Sequence, residues 1–211
     1  SLAERYRVPV LRSGLITSEL INKATVLLDN LTAPEEQVQG SMIDIKGVGV
    51  LLRGAAQIGK SETALGLIEL GHSLVADDVT RLRRASWGAL IGSAVSLTRF
   101  HMEIRGIGII HVPSLYGVTS VRGEKQLDMV VHLYRPDDPS YAEGADLPPT
   151  TEILGLDIPT VYLPVLSGRD MAHIVEVAAL NQRLKVLGHD AAKELDEKVV
   201  SALTQKRGRS D

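Results

Sequence analysis

Cysteine is absent from this 211-residue sequence. That excludes disulfides and thiolate metal sites, and only weakly favours a reducing compartment. Aromatic residues make up 3% of the chain, too few to expect a ring platform for stacking bases. Neither sign of charge dominates: a formal net charge of −3 leaves no electrostatic footprint for nucleic acid. No run approaches the roughly 18 apolar residues of a membrane span, and the first residues lack the charged-then-apolar order of a signal peptide. The expectation is a cytoplasmic protein with neither nucleic acid nor membrane as partner. With 44% hydrophobic and 23% charged residues, the length suffices for one sizeable core and a small appendage.

What is there instead is one strong motif. Gly54-Ala55-Ala56-Gln57-Ile58-Gly59-Lys60-Ser61 reads G-x-x-x-x-G-K-S, the phosphate-binding loop pattern. An apolar run of strand length, residues 48–52, precedes it. Residues 62–70 follow with helical character and stop at Gly71. Strand, glycine loop and helix in that order make a nucleotide site the better reading; the blander one is a glycine-rich turn before an ordinary helix. Glycine lets the backbone approach a phosphate without a Cβ in the way. Amides of the loop and first helical turn point at the anion, and the helix dipole adds positive charge. Lys60 supplies a full charge to the terminal phosphates, and the Ser61 hydroxyl can ligate Mg²⁺.

The remaining elements follow from pattern. Residues 8–11 read as a short edge strand, because Pro9 cannot donate to a ladder. Thr17 or Ser18 caps a helix with Leu20, Ile21, Ala24, Leu27, Leu28 and Leu31 at helical spacing, closed by Ala33-Pro34. A lone strand and helix cannot bury a core, so residues 1–34 are expected to be the tail of an upstream domain with its linker. Residues 41–45 and 48–52 flank Lys46-Gly47 as a hairpin. Residues 73–76 read as a buried strand ending in Asp77-Asp78. Adjacent acids after a phosphate loop suit Mg²⁺ or a general base; otherwise they form a solvated turn. Residues 79–83 alternate as a strand, 85–88 turn the chain, and 93–100 are weakly patterned.

Residues 102–110 read as one extended segment with Glu103 and Arg105 on one face, either metal ligand and phosphate holder or an ordinary charge pair. Residues 127–133 read as a central strand. Residues 135–150, acidic and rich in Pro and Gly, read as a mobile loop. Short strands broken by Pro159 and Pro164 are expected over 153–165, then a turn at Ser167-Gly168-Arg169-Asp170. Residues 171–187 have helical spacing, with Ile174, Val177, Ala178 and Leu187 near one face and Gly188 as the stop. Asp190 caps a last helix through Leu203, and residues 206–211 form a basic tail. The six histidines show no paired metal-ligand spacing and read as packing or surface residues.

Three stretches carry a family resemblance. Gly59-Lys60-Ser61-Glu62-Thr63-Ala64-Leu65, Gly71-His72-Ser73-Leu74-Val75-Ala76-Asp77-Asp78 and Glu103-Ile104-Arg105-Gly106-Ile107-Gly108-Ile109-Ile110 resemble the HPr kinase/phosphorylase family. Val131-His132-Leu133, Pro164-Val165, Gly168-Arg169 and Val175-Glu176-Val177-Ala178-Ala179 follow in the expected order. The resemblance runs from about Val8 to the C-terminal helix. It implies an α/β fold over 35–205: a P-loop kinase core like that of phosphoenolpyruvate carboxykinase, with a mixed sheet and flanking helices. It implies ATP and Mg²⁺ as cofactors, the phosphocarrier protein HPr as partner, a hexamer, and a place in phosphotransferase-system carbon catabolite regulation. The implied reaction is ATP-dependent phosphorylation of an HPr serine, reversible with inorganic phosphate to give pyrophosphate. By position, Lys60 would bind the β and γ phosphates, and Ser61 and Glu103 would hold Mg²⁺. One of Asp77 and Asp78 would take the serine proton while the other assists the metal. Arg105 lies in a segment the family uses in both directions, and Arg169 in one tied to dephosphorylation.

The sequence departs from the family in three places. Gln39-Gly40 stands where the family usually has His-Gly, and glutamine cannot exchange a proton near neutral pH. Ala55, Ala56 and Gln57 replace Asp-Ser-Gly in the loop, and Gln57 gives up easy access to positive φ. Glu143 stands where the family often has an arginine. These changes weigh most on phosphorolysis, which is expected to be reduced or absent. Two other readings stay open: a non-catalytic nucleotide-sensing paralogue and a small-molecule kinase on the same core.

Overall fold

The apolar runs 48–52 and 129–133 are buried on both faces because they lie inside a six-stranded mixed sheet. The computed structural model describes residues 2–141 and 147–207. The chain opens with α1 (Leu2–Tyr6) and α2 (Thr17–Thr32), then β1 (Glu35–Gln39), β2 (Ser41–Ile45) and β3 (Val48–Gly54). Next come α3 (Lys60–Glu69), β4 (Ser73–Ala76), β5 (Val79–Arg84) and β6 (Leu90–Ala94). A hairpin of β7 (His101–Ile104) and β8 (Gly108–His111) leads into α4 (Val112–Tyr116), β9 (Glu124–Gln126) and β10 (Met129–Tyr134). The chain finishes with β11 (Thr150–Ile153), β12 (Leu156–Pro164), α5 (Met171–Val186) and α6 (Ala191–Arg207).

The large sheet has the order β11-β12-β10-β3-β2-β4. Strands β3, β10 and β12 run parallel, and β2 runs antiparallel to both β3 and β4. Strand β4 therefore points the same way as β3, so the ends of β3, β4, β10 and β12 converge on one edge. On β3, Val50 and Leu52 face one way and Leu51 the other, the two-residue period of a strand. Val50 and Leu52 pack under α3 and α5 with Ala64, Leu67, Ala172 and Val175. Leu51 packs with Met42, Val75 and Val130 against Val38, Leu82 and Leu90 of a second sheet, ordered β1-β5-β6-β9.

Several expectations need correction. Residues 8–11 are irregular and exposed, since no described strand pairs with them. Neither Thr17 nor Ser18 caps α2: Ile16 is the extended cap residue and no side chain bonds there, so both hydroxyls fall inside the helix. The helix presents Ile21, Leu27, Leu28 and Leu31 to solvent. Strand β12 is continuous through Pro159. The Thr160 amide donates to the Pro149 carbonyl, so position 159 turns its nitrogen to the other side, one residue before the ladder with β10 begins. Val177 and Leu187 are exposed; the buried face of α5 is Ala172, Val175 and Ala179. Asp170 caps this helix by accepting from the His173 amide at 3.2 Å. Among the described residues no helix is long and apolar enough to cross a membrane.

Candidate active site

Every group of the candidate site lies at the edge where the parallel strands end. Strand β3 ends at Gly54, where an added Cβ would collide with the Leu133 carbonyl of the neighbouring strand. The loop then turns at Gln57, whose φ of 64° lies in the left-handed region that a glutamine occupies only under strain. Gly59 caps α3, and its carbonyl accepts from the Thr63 hydroxyl at 2.7 Å. Lys60 begins the helix and donates from Nζ to the carbonyls of Gly54 (3.1 Å) and Ala55 (3.0 Å). Ser61 Oγ reaches both carboxylate oxygens of Asp77, at 3.3 and 3.4 Å.

Asp77 is buried at the end of β4. Ser41, the first residue of the intervening strand β2, donates its hydroxyl to Asp77 Oδ1 at 2.7 Å. Burial pushes the Asp77 carboxyl above the usual carboxylate range. Hydrogen bonds from Ser41, the Asp78 and Glu103 amides, and Ser61 pull it part of the way back. Asp78 differs from its neighbour. It is exposed, sits at a φ of 60°, and its carbonyl accepts from the Gly40 amide at 2.8 Å. That amide bond and the Thr80 hydroxyl on the Gly40 carbonyl (2.8 Å) tie β1, β2 and β5 together beneath the acids.

A cleft of about 470 Å³ opens between the loop and the β7–β8 hairpin. Lys60, Ser61, Glu62, Asp77, Asp78, Glu103 and Arg105 line it, with Ala56, Gln57 and Gly59 of the loop. The expected single segment over 102–110 is in fact this hairpin. Residues 105–107 form its turn, with Gly106 at φ 84°, so Glu103 stands on a strand and Arg105 on the turn, not side by side. Both still reach the cleft. Arg169 does not line it: it is exposed in the turn after β12, two strands along the same edge. Glu143 lies outside the described residues, as does the end of the basic tail.

Some of this has no local signal in the sequence. Ser41 is an ordinary strand serine until the sheet sets it beside an acid 36 residues away. A further surprise is at the same edge, where Tyr141 folds back from the loop after β10. Its hydroxyl lies 2.9 Å from His132 Nε2 and its ring stacks on Tyr134 at 4.5 Å. The stretch 135–141 is therefore anchored to the sheet.

The donor set suits Mg²⁺ and a polyphosphate. Hydroxyl and carboxylate oxygens are hard ligands, loop amides cradle anions, and Lys60 adds a point charge.

Comparison with known proteins places the chain in a family. A family model described as HPr Serine kinase C-terminal domain matches residues 30–199. The HPr kinase/phosphorylase of Leptospira biflexa is 40% identical over 206 residues, which cover 96% of this chain and 64% of that protein. The HPr kinase/phosphorylase of Brevibacillus brevis is 42% identical over 206 residues, covering 97% and 66%. The chain thus spans about two thirds of the length of the curated relatives it matches. Among solved structures, the Hpr(Ser) kinase/phosphatase from Coxiella burnetii superimposes with a TM-score of 0.67 at 35% identity. The match covers 76% of this chain and 98% of that one.

Proposed function

The chain belongs to the HPr serine kinase C-terminal domain family, with its P-loop kinase fold, and on that premise we propose that it phosphorylates a serine of HPr at the expense of ATP. Residues 35–205 are taken as the catalytic unit. The observation that carries the reading is the gathering of Lys60, Ser61, Asp77, Asp78 and Glu103 around one cleft beside the loop amides.

Phosphoryl transfer asks the protein for alignment and charge neutralisation more than for a strong nucleophile. The amides from Gly54 to Ser61 hold the phosphates, and Lys60 exchanges its two carbonyl partners for the β and γ oxygens. Ser61 and Glu103 would hold Mg²⁺, which when bound would supply positive charge against the phosphates. Asp77 is clamped by Ser41 and turned toward Ser61, which makes it the acid that supports the metal side. Asp78 faces solvent in the cleft and takes the proton of the incoming serine hydroxyl. Arg105, on the hairpin turn and lining the cleft, is placed to steady the transferring group.

Phosphorolysis of phosphoserine-HPr is reduced or absent on this reading. Gln39 has no titratable group to offer, Ala55 and Ala56 carry no polar side chain, and Arg169 does not line the cleft. Incubation with HPr, ATP and Mg²⁺ tests the forward reaction, with Asp78→Asn as control. Phosphoserine forms in the parent chain and not in the variant. ATP binding without phosphoserine in either would leave a nucleotide sensor; phosphate-driven release of pyrophosphate at a rate matching the forward reaction would refute the loss of the reverse one.

A further inference from the structure

The hairpin that walls the cleft carries a second arrangement, which the proposed chemistry does not use. His101 on β7 and His111 on β8 are direct partners in the antiparallel register. Partners in such a register project to one face, and here the two imidazole centroids lie 4.9 Å apart with the rings tilted by 43°. Both histidines are exposed, on the same face of the hairpin as Glu103 and Ile109, while Met102 and Ile104 face the core.

Both rings are anchored through the same nitrogen. His101 Nδ1 lies 2.9 Å from the Arg99 carbonyl oxygen. A carbonyl only accepts, so Nδ1 carries the proton and Nε2 the lone pair. His111 Nδ1 lies 2.7 Å from Ser114 Oγ, a hydroxyl that can donate or accept, so this contact fixes the ring's orientation and is compatible with a lone pair on Nε2. Fixing one ring nitrogen by a hydrogen bond, so that the other points its lone pair outward, is how metal-ligating histidines are oriented.

We propose that His101 and His111 form a two-imidazole site for a borderline divalent transition cation such as Cu²⁺ or Zn²⁺, bound through the two Nε2 atoms with water completing the shell. Imidazole suits Cu²⁺ and Zn²⁺, whereas Mg²⁺ takes hard oxygens and stays with the carboxylates of the cleft. Neither histidine lines the cleft. The cation ties the two strands at the end of the hairpin away from its turn. It thereby holds Glu103, two residues along β7, and the Arg105 turn in register. The ten-residue separation of the two histidines matches no local ligand spacing, and only strand pairing reveals them as neighbours.

The test uses the whole chain without a histidine tag, Cu²⁺ as a paramagnetic probe of the histidine proton signals, and Zn²⁺ in calorimetry. Substoichiometric Cu²⁺ is expected to broaden the His101 and His111 signals together, before those of His72, His132, His173 and His189. His101→Ala and His111→Ala each abolish the tight Zn²⁺ phase. Ser114→Ala keeps both ligands but loosens one, and weakens Zn²⁺ binding about tenfold. An excess of Mg²⁺ leaves the titration unchanged. Broadening of only one of the pair overturns the proposal. So does first broadening at His173 or His189, which lie beside Asp170 and Glu194. Equal Zn²⁺ affinity in the parent and in a chain lacking both histidines has the same consequence. The position of copper in the unaltered chain decides the matter even if a variant fails to fold, and no outcome depends on whether HPr is the phosphate acceptor.

Discussion

At the edge of the large sheet remote from the cleft, Asp44 and Glu176 are paired with cations; at the cleft edge, three or four strand residues away, the acids meet hydroxyls and amides but no cation among the described residues. Asp44 is buried and holds Arg122 Nε at 2.6 Å and the Gly47 amide at 2.9 Å. Glu176 accepts from Lys46 at 2.7 Å, which holds its carboxyl below the usual range. Asp128 accepts from the Gly49 amide at 2.7 Å. At the cleft edge, Glu62, Asp77, Asp78 and Glu103 have no salt bridge among the described residues, and the nearby Lys60 is turned onto carbonyls. Like charges gathered without a counterion oppose folding, so such a cluster persists where something else is meant to neutralise it. The remote edge has one exception. His72 Nε2 lies 3.2 Å from Glu176 Oε1 without hydrogen-bond alignment, and burial lowers its pKa.

The sharpest way to test this contrast is to alter one acid at each edge. Asp78→Asn should lower kcat for HPr phosphorylation by about 10² to 10⁴-fold, while an exposed site leaves stability within about 0.5 kcal/mol of the parent in urea titrations. Arg122→Ala should do the reverse. It strands the buried Asp44 carboxylate, and because the arginine is half exposed the loss is about 1–2 kcal/mol rather than that of a fully buried pair. Its kcat is expected to match the parent. Equal kinetic damage from both variants would erase the distinction between the edges.

Asp77→Asn sharpens it further, because a buried acid kept for chemistry should burden the fold. Its folded-state pKa is raised, so between the unfolded and folded values the native chain binds more protons, and stability falls as pH rises through that window. The variant should abolish that slope and lose phosphorylation. Thermal unfolding between about pH 3 and about pH 8, a range that begins below the ordinary aspartate value, measures it. The smallest effect belongs to the loop backbone. Gln57→Gly removes a strained left-handed residue and should raise stability by somewhat under 1 kcal/mol, net of glycine's own entropy.

Most of what depends on neighbours along the chain is legible beforehand, the strand expected at 8–11 and the cap of α2 excepted. The loop, its helix, the 41–52 hairpin and the buried strand before Asp77 all come from residues within about ten positions of one another, and all stand where the pattern puts them. Strands β6 and β9 have no comparable signal. They are short, β9 has no apolar residue, Gly92 and Ser93 interrupt β6, and their identity comes from partners across the second sheet. The 102–110 segment misled for a different reason. The β7 arm alternates and apolar residues resume in β8, so one extended run reads through a turn that only Gly106 and Gly108 betray. In α5 the inward face is set by small residues, Ala172 and Ala179, that a search for large apolar side chains passes over. In the site, Lys60 and Ser61 follow from motif chemistry, but the clamp of Ser41 on Asp77 exists only once β2 lies between β3 and β4.

The ammonium of Lys60 rests on two oxygens that belong to its own loop. An incoming guest must displace that internal surrogate before it gains anything from the cation. On the proposed function, adenosine alone would offer no anionic oxygen for which the side chain would let go, and the terminal phosphates would be the groups that compete. Discrimination by tail length is thus already set up as a contest between protein oxygens and guest oxygens for a single amine.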